Sequence, residues 1–391
     1  MQNLKIAISG YGSVSPLGIE PNGIWKRYLD DEHCFYKKDF DSVKEWVGPL
    51  SEDAKKLISA LSISKKYNQL DPSVLYAIAA SRSAVQQAGW DENSEFGINI
   101  GSSRGATAIF EKYHSEFIES GSIGPRKTNP LTSPSTTLGN IASWVAADVN
   151  ATGPVISHSS TCSTALQAVA NAIVWIKSGF CSKFLAGGSE APLTAFTIAQ
   201  MKALKIYSNL DNDYPCRSMD LSKVYNSMIL GEGAASFCLE LSPKNALAYI
   251  TGLGYGSEII KHGTSISADG TSLQKSMKLA LDGHDPESVD IILLHSPGTT
   301  QGDQSEMQAV QAIFGQNKPL LTSNKWKIGH TLGASGALSM EMALLMLKHN
   351  KFIQSPYLPP QTQTKPLQKI LINAVGFGGI AMSLLIEKPV N

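Results

Sequence analysis

A chain of 391 residues, 42% hydrophobic and 17% charged, carries ample apolar material for a large buried core. Its 33 Lys+Arg balance 33 Asp+Glu, so no global field points to nucleic acid or an anionic membrane, and any charged partner must be met by a local patch. Cys34, Cys162, Cys181, Cys216 and Cys238 are scattered and never paired as CxxC, which argues against a disulfide framework or a zinc site and for a reducing cytoplasm.

In chain order, the opening MQNLKIAISGYGS lacks the charged leader, apolar core and cleavage site of a signal peptide. Within it, IAISGYGSVS (Ile6–Ser15) is a short buried strand running into a glycine-rich turn. PSVLYAIAASRSAVQQAG (Pro72–Gly89) repeats its apolar residues every three or four positions and is expected to be a helix. AGWDENSEFGINIGSS (Ala88–Ser103) passes from a helix end through an acidic turn to an apolar strand. STALQAVANAIVWIKSG (Ser163–Gly179) is a second helix, and FLAGGSE (Phe184–Glu190) a strand ending in glycine. These strands then echo in order: YITGLGYGSE (Tyr249–Glu258), LDGHDPESVDIILLHSPG (Leu281–Gly298) and INAVGFGG (Ile372–Gly379). GASGALSMEMALLMLKHN (Gly333–Asn350) is a third helix, and no apolar run reaches the roughly 18–20 residues of a membrane span.

Strands alternating with helices predict a largely parallel α/β architecture, because parallel strands need crossover connections. The echoes divide it into two similar α/β halves, 1–243 and 244–391, joined near LSPKNALAY. The first half holds the extra length, chiefly Ala106–Asn150 and Phe196–Ser227, expected to be irregular loops or interface arms.

Cys162, in SHSSTCSTALQAV, stands where a helix is expected to begin, with Ser160, Thr161 and Ser163 as candidate caps. The unpaired amides and dipole of a helix start favour an anion, so a thiol there is expected to have a lowered pKa. Cys181, Cys216 and Cys238 are assigned to the core as small hydrophobes. His295 ends the strand VDIILLH; His330 lies in SNKWKIGHTLGASGA, five residues after Lys325 and before a helix. A cysteine and two histidines at the edges of echoed α/β units fit the rule that such sheets carry their sites at the carboxyl ends of strands.

STCSTALQA, HSPGTTQGDQSE, NKWKIGHTLGASG and NAVGFGG together resemble the four motifs of β-ketoacyl-acyl carrier protein synthases, condensing enzymes of the thiolase-like superfamily. They stand in the family's order at about its distances, and ISGYGSVSPLG and GPRKTNPL match further family segments, so the resemblance spans nearly the whole chain. It implies two related α/β halves in a five-layer αβαβα core. It implies a homodimer, with a heterodimer of related subunits as the other arrangement, and a decarboxylative condensation that uses carrier-bound acyl and malonyl thioesters and no bound metal or other cofactor. By position, Cys162 resembles the acyl-accepting nucleophile, His295 and His330 the facing histidine pair, and Lys325 the lysine of their polar network. Phe377 resembles the gating phenylalanine, whose N–H with that of Cys162 forms the oxyanion hole. Thr299 resembles the threonine that binds the phosphopantetheine arm. The acidic carrier protein is expected on Arg126 and Lys127, with Lys65 and Lys66 beside them.

Three positions depart from the pattern. Pro297 replaces the middle threonine of His-Gly-Thr-Gly-Thr. Ser339 stands nine residues after His330, where the family carries a glutamate, and Glu341 lies two residues further on. Where the family has Pro-Phe-Asp…Arg-Asp-Gly-Phe, Ser218–Gly233 is longer by two residues and reads Tyr225-Asn226-Ser227-Met228. These departures predict a substrate other than ordinary saturated fatty acids, such as an aryl polyene or polyketide-like chain in a secondary-metabolite pathway. The alternative is a non-catalytic, chain-length-factor-like partner subunit, against which the intact Cys162, His295, His330 and Lys325 set argues. A thiolase proper needs a second, late cysteine, and none follows Cys238.

Overall fold

The computed structural model describes residues 5–40, 43–91, 94–121, 128–241, 245–259 and 266–389. The first half runs through β1 (Ile6–Val14), α1 (Pro21–Leu29), the paired strands β2 (Tyr36–Phe40) and β3 (Val43–Val47), α2 (Glu52–Ser62), α3 (Pro72–Ala88) and β4 (Gly97–Gly101). It continues with α4 (Thr107–Ser120), α5 (Thr132–Thr136), α6 (Gly139–Asp148), β5 (Val155–Ile156), α7 (Thr164–Lys177), β6 (Lys183–Glu190), α8 (Ala195–Ala203) and β7 (Gly233–Glu240). The second half holds β8 (Ala248–Gly256), α9 (Thr271–Ala280), β9 (Ile291–Leu293), α10 (Thr300–Phe314), β10 (Leu320–Thr322) and α11 (Lys325–Ile328). It closes with α12 (Ser335–His349), β11 (Lys369–Gly376) and β12 (Ile380–Glu387). The join expected between residues 243 and 244 falls outside the described residues.

Among the described residues, ten strands form one sheet in the order β10-β9-β11-β12-β8-β1-β7-β6-β4-β5. From either edge inward, each half follows the same sequence: its third, second, fourth, fifth and first strand. The halves meet where β1 and β8 pair antiparallel through Ile6↔Ile250, Ala7↔Tyr249 and Ile8↔Ala248. The echoed segments occupy matching strands, β1 with β8, β4 with β9 and β6 with β11. In each half three strands pair in parallel and the last two are joined on through antiparallel pairings, so the sheet is mixed rather than largely parallel. The cause is direct connection: β11 and β12 are joined by a three-residue turn, with no room for a crossover helix.

Alternation along the strands builds the layers. Phe184 and Ala186 of β6, Ile291 and Leu293 of β9, and Leu384 and Ile386 of β12 enter one shared core with α7 and α12. Leu185 points to the opposite side, toward α3 and α6. Ile292 and Leu385 point outward beneath α9 and α10. Two sheet halves around a central helix pair, with a helical layer outside each, make the five-layer αβαβα arrangement. Each large apolar side chain buried in these cores stabilises the fold by roughly 1.5–3 kcal/mol.

The three helices expected from periodicity are α3, α7 and α12. α3 starts at the Asp71 cap, whose carboxylate accepts from the Ser73 amide at 2.9 Å, and stops at Gly89 with φ 66°. α12 stops at Asn350, also left-handed at φ 51°. Both central helices are entered through a left-handed residue three positions before their first: Thr161 (φ 52°) before α7 and Leu332 (φ 43°) before α12. The stretch Ala106–Asn150, expected to be irregular, is largely helical over α4, α5 and α6. Its weak apolar pattern explains the miss, since on α4 only Thr107 and Tyr113 are buried. Among the described residues no helix is long and apolar enough to cross a membrane.

Candidate active site

The site gathers at the carboxyl ends of parallel strands from both halves. Cys162 lies on the turn between β5 and α7; His295 follows β9 by two residues; His330 lies between α11 and α12; Phe377 follows β11. Cys162, His295 and His330 are buried, and the thiol sulfur and one ring nitrogen of each histidine lie within 4.8 Å of one another. The two imidazoles meet edge to face, with centroids 5.1 Å apart and planes at 79°. These three line one cavity of about 190 Å3 together with Thr299 and Phe377.

The turn that presents Cys162 is fixed by hydroxyls. Thr164 Oγ1 accepts the Ser160 amide at 2.8 Å and donates to the Thr161 carbonyl at 2.6 Å, and Ser163 Oγ donates to the Ser160 carbonyl at 2.8 Å. Ser163 occupies the cap position of α7 without a side-chain capping bond, so none of Ser160, Thr161 and Ser163 caps the helix through its side chain. Gly376 presses against this turn: a Cβ there would run into Thr161 Oγ1 and come within 3.0 Å of the Ser160 carbonyl. Gly376→Ala is therefore expected to destabilise the protein by about 1–3 kcal/mol and to slow Cys162 alkylation, read by a thermal melt and peptide mass spectrometry.

Electrostatics correct one expectation. Burial, reinforced by the Glu190 carboxylate, pushes the Cys162 thiol up to about 12 against the opposing pull of Lys325. Cys162 precedes the first residue of α7 by two positions and sits among Val47, Met201, Met228 and Leu332, so desolvation outweighs the helix start. The resting group is a neutral thiol.

Both histidines are neutral as well. Burial and the Lys325 charge push His330 down to about 3. Burial, His330 and Lys325 hold His295 well below the usual imidazole range. The Leu332 amide donates to His330 Nδ1 at 3.0 Å, which leaves the ring proton on Nε2. Buried Lys325 donates from Nζ to Asn324 Oδ1 at 3.0 Å and is lowered by desolvation to about 8, with Glu306 the main opposing charge. A soft cation between the sulfur and the two rings would meet this ammonium, so the cluster favours anion chemistry over metal binding.

Four residues not singled out from sequence hold the geometry. Glu190 accepts from Ser102 Oγ (2.8 Å) and from the amides of Ser103 (2.8 Å), Arg104 (3.0 Å) and Gly333 (2.8 Å), tying the β4–α4 turn to the turn after His330. Glu306 accepts from the amides of His295 (2.9 Å) and Ser296 (2.8 Å) and from Asn373 Nδ2 (3.1 Å), fixing the backbone that carries the first histidine. Asp303 accepts from the amides of Gly298 (3.0 Å) and Met219 (2.8 Å) and pairs with buried Lys223 at 2.6 Å. The only sequence signal for Glu306 and Asp303 was their place in HSPGTTQGDQSE.

The departures fall into place around Thr299. Its hydroxyl accepts the Gly302 amide at 3.1 Å as the cap of α10, and its own proton stays free to donate into the cavity. Asn226 Oδ1 accepts the Thr300 amide at 2.9 Å, and the Ser227 amide and hydroxyl both donate to the Gly298 carbonyl at 2.9 Å. The altered loop therefore braces the turn that carries Thr299, and its cation is Lys223, two residues before the position expected for arginine. Ser339 is buried, and Glu341 bonds Ser13 rather than Lys325. Lys65 and Lys66 are exposed between α2 and α3, away from the cavity lining, and Lys66 stacks on Tyr67. Arg126 and Lys127 lie outside the described residues.

The chain matches the models for the beta-ketoacyl synthase N-terminal domain over residues 3–244 and the beta-ketoacyl synthase C-terminal domain over residues 247–358. It is 27% identical to 3-oxoacyl-[acyl-carrier-protein] synthase 2 of Staphylococcus aureus (strain MRSA252), covering 99% of each chain, and 26% identical to the enzyme of that name from Coxiella burnetii (strain RSA 493 / Nine Mile phase I), also over 99% of each. Similar folds include a beta-ketoacyl synthase from Burkholderia phymatum STM815 (TM-score 0.84, 23% identity, 99% of this chain and 100% of that one). Another is the ishigamide ketosynthase/chain length factor (TM-score 0.86, 19% identity, the same coverage). A third is a type II PKS ketosynthase solved with its acyl-carrier protein (TM-score 0.85, 23% identity, 99% and 100%). Two matched domain models in tandem, over a fold and a cysteine–histidine–histidine cluster of this kind, place the chain in the beta-ketoacyl synthase family.

Proposed function

We propose that this chain is a β-ketoacyl-[acyl-carrier-protein] synthase that condenses a Cys162-bound acyl group with malonyl-carrier protein. The observation that carries the reading is the convergence of one cysteine with two neutral histidines beside a buried lysine. In the first step the Cys162 sulfur attacks the thioester carbonyl of acyl-phosphopantetheine. The acyl–sulfur bond to the arm breaks, and the proton lost by Cys162 ends on the arm's thiol. The amides of Cys162 and Phe377 hold the oxyanion.

Malonyl thioester then replaces the spent arm, anchored by the Thr299 hydroxyl. Its carboxylate leaves as CO2 and the electron pair becomes an enolate, whose charge collects on the thioester oxygen. His330 Nε2–H and the His295 ring donate to that oxygen, each donor being worth ~3–4 kcal/mol in comparable oxyanion sites. The enolate carbon attacks the acyl-Cys162 carbonyl, a C–C bond forms, and the Cys162 thiolate departs and takes up a proton. Burial keeps both rings neutral throughout, and Lys325, charged below about pH 8, adds to that effect and favours the anions formed beside it.

The cavity holds about six waters by liquid volume, room for the reacting end of an arm and a short acyl group. That size, with the rebuilt loop bracing the arm-binding turn, supports a substrate other than a long saturated fatty acyl chain and a place in a secondary-metabolite pathway. The acidic carrier protein docks on Arg126 and Lys127, with Lys65 and Lys66 beside them, and the boundary between the two domains is set at residues 243–244. The test is incubation with acyl- and malonyl-carrier proteins: the expected product is a 3-oxoacyl-carrier mass with one CO2 released per condensation. Malonyl-carrier recovered intact with every acyl group offered would refute the reading and favour a non-catalytic partner subunit.

A further inference from the structure

Behind Lys325 lies a buried polar chain that the reaction does not use directly. Asn324 Oδ1 accepts from Lys325 Nζ, and the Asn324 amide Nδ2 on its other side has no partner closing a well-formed hydrogen bond. That amide faces the Tyr28 phenol, which is also acted on by the Glu341 carboxylate. Tyr28 is 2% exposed and Glu341 fully buried, yet the Tyr28 hydroxyl and Glu341 Oε2 both lack a partner. Ser13 Oγ donates to the other oxygen, Oε1. Orphaned polar atoms grouped this way, each costly to leave unpaired, call for mutual contact or one bridging water.

We propose that Glu341, through Tyr28 and Asn324, is a positioning residue for Lys325, taking over from α12 the task that the absent carboxylate at Ser339 would perform. Burial pushes the Glu341 carboxyl up to about 7, so above that pH it only accepts, and Tyr28 donates toward Glu341 Oε2 over one water. The phenol oxygen is then left to accept from Asn324 Nδ2, and Asn324 Oδ1 must turn toward the ammonium. Losing either outer member frees the amide to flip and set Nδ2 against Lys325. The other groups acting on Lys325 are Glu306 and Asp303 of α10, Cys162 and Cys216, with the rings of His295 and His330 opposite. Tyr28 also feels Cys34 and Tyr11.

The inference rests on the condensing-enzyme reading for its purpose, but its test does not. Lys325 lowers the Cys162 thiol pKa, so the rate of Cys162 alkylation by iodoacetamide between pH 7 and 10, followed by peptide mass spectrometry, reports the lysine's charge and placement whether or not the protein condenses anything. Tyr28→Phe and Glu341→Gln are each expected to slow alkylation at pH 8 by about three- to tenfold, and the double variant no further than the slower single. Asn324→Asp supplies a carboxylate directly; in that background Tyr28→Phe is expected to change the rate less than twofold. Unchanged rates in both single variants, or equal slowing by Tyr28→Phe in the Asn324→Asp background, would overturn the proposal, the latter showing a packing effect only.

Discussion

Cys162→Ala is expected to carry no acyl group after incubation with acyl-carrier protein, where the wild type gains one acyl mass on the Cys162 peptide. The reasoning is one of access. Cys216 and Cys238 are at most 1% exposed, with thiols pushed up by burial, and neither they nor Cys34 and Cys181 line the cavity that holds Cys162. With no second nucleophile in reach, transfer should fall below ~10^-3 of the wild-type rate. The loss cannot be put down to unfolding, because removing one sulfur from a side chain already 6% exposed beside a cavity costs little packing. A thermal melt within a few degrees of wild type is the control. An adduct that survives in Cys162→Ala would remove the cysteine from the mechanism.

His295→Ala and His330→Ala are expected to divide the reaction. Each removes a donor to the enolate oxygen, so malonyl decarboxylation should fall by ~10^2–10^3, while self-acylation stays within about tenfold of wild type. The effect is read as acetyl- against malonyl-carrier by mass spectrometry. Normal decarboxylation in both variants would reassign the oxyanion donors. The pH profile adds a second reading. His330 is held at about 3 and His295 well below the usual imidazole range, so no acid limb at the ordinary imidazole position should come from them. Lys325 is protonated below about 8 and loses its proton as pH rises through that value, so the rate should fall on the alkaline side.

The cysteine–histidine–histidine cluster was legible because each member stands in a short local pattern, Cys162 and His330 ahead of a helix and His295 after a strand. α3 and α12 were legible for the same reason, periodicity closed by Gly89 and Asn350. What stayed hidden depends on tertiary contact. Glu190 accepts hydrogen bonds from residues 86 to 143 positions away, and no spacing announces that. The thiol of Cys162 was misjudged because a helix start is visible in sequence and desolvation by Val47 and Met201 is not. Lys223 was missed because two extra residues shift the loop's cation away from the family position, and only the fold brings it to Asp303. The strands were taken as mostly parallel because the short turn between β11 and β12 looks, in sequence, like any glycine-rich strand end.

The paired entries to α7 and α12 give the molecule a doubled frame with a single centre of chemistry. After the left-handed Thr161 comes Cys162; after the left-handed Leu332 comes Gly333. A side chain at 333 would fall within 2.5 Å of the Ser103 amide and 2.7 Å of Glu190 Oε2, and the Gly333 amide is already committed to that carboxylate. One copy of the turn is thus open and armed, and its twin is filled and made into a brace. The brace belongs to the second half but grips the first through Glu190, so both halves contribute to the cysteine's surroundings. Symmetry in the backbone has been converted into division of labour.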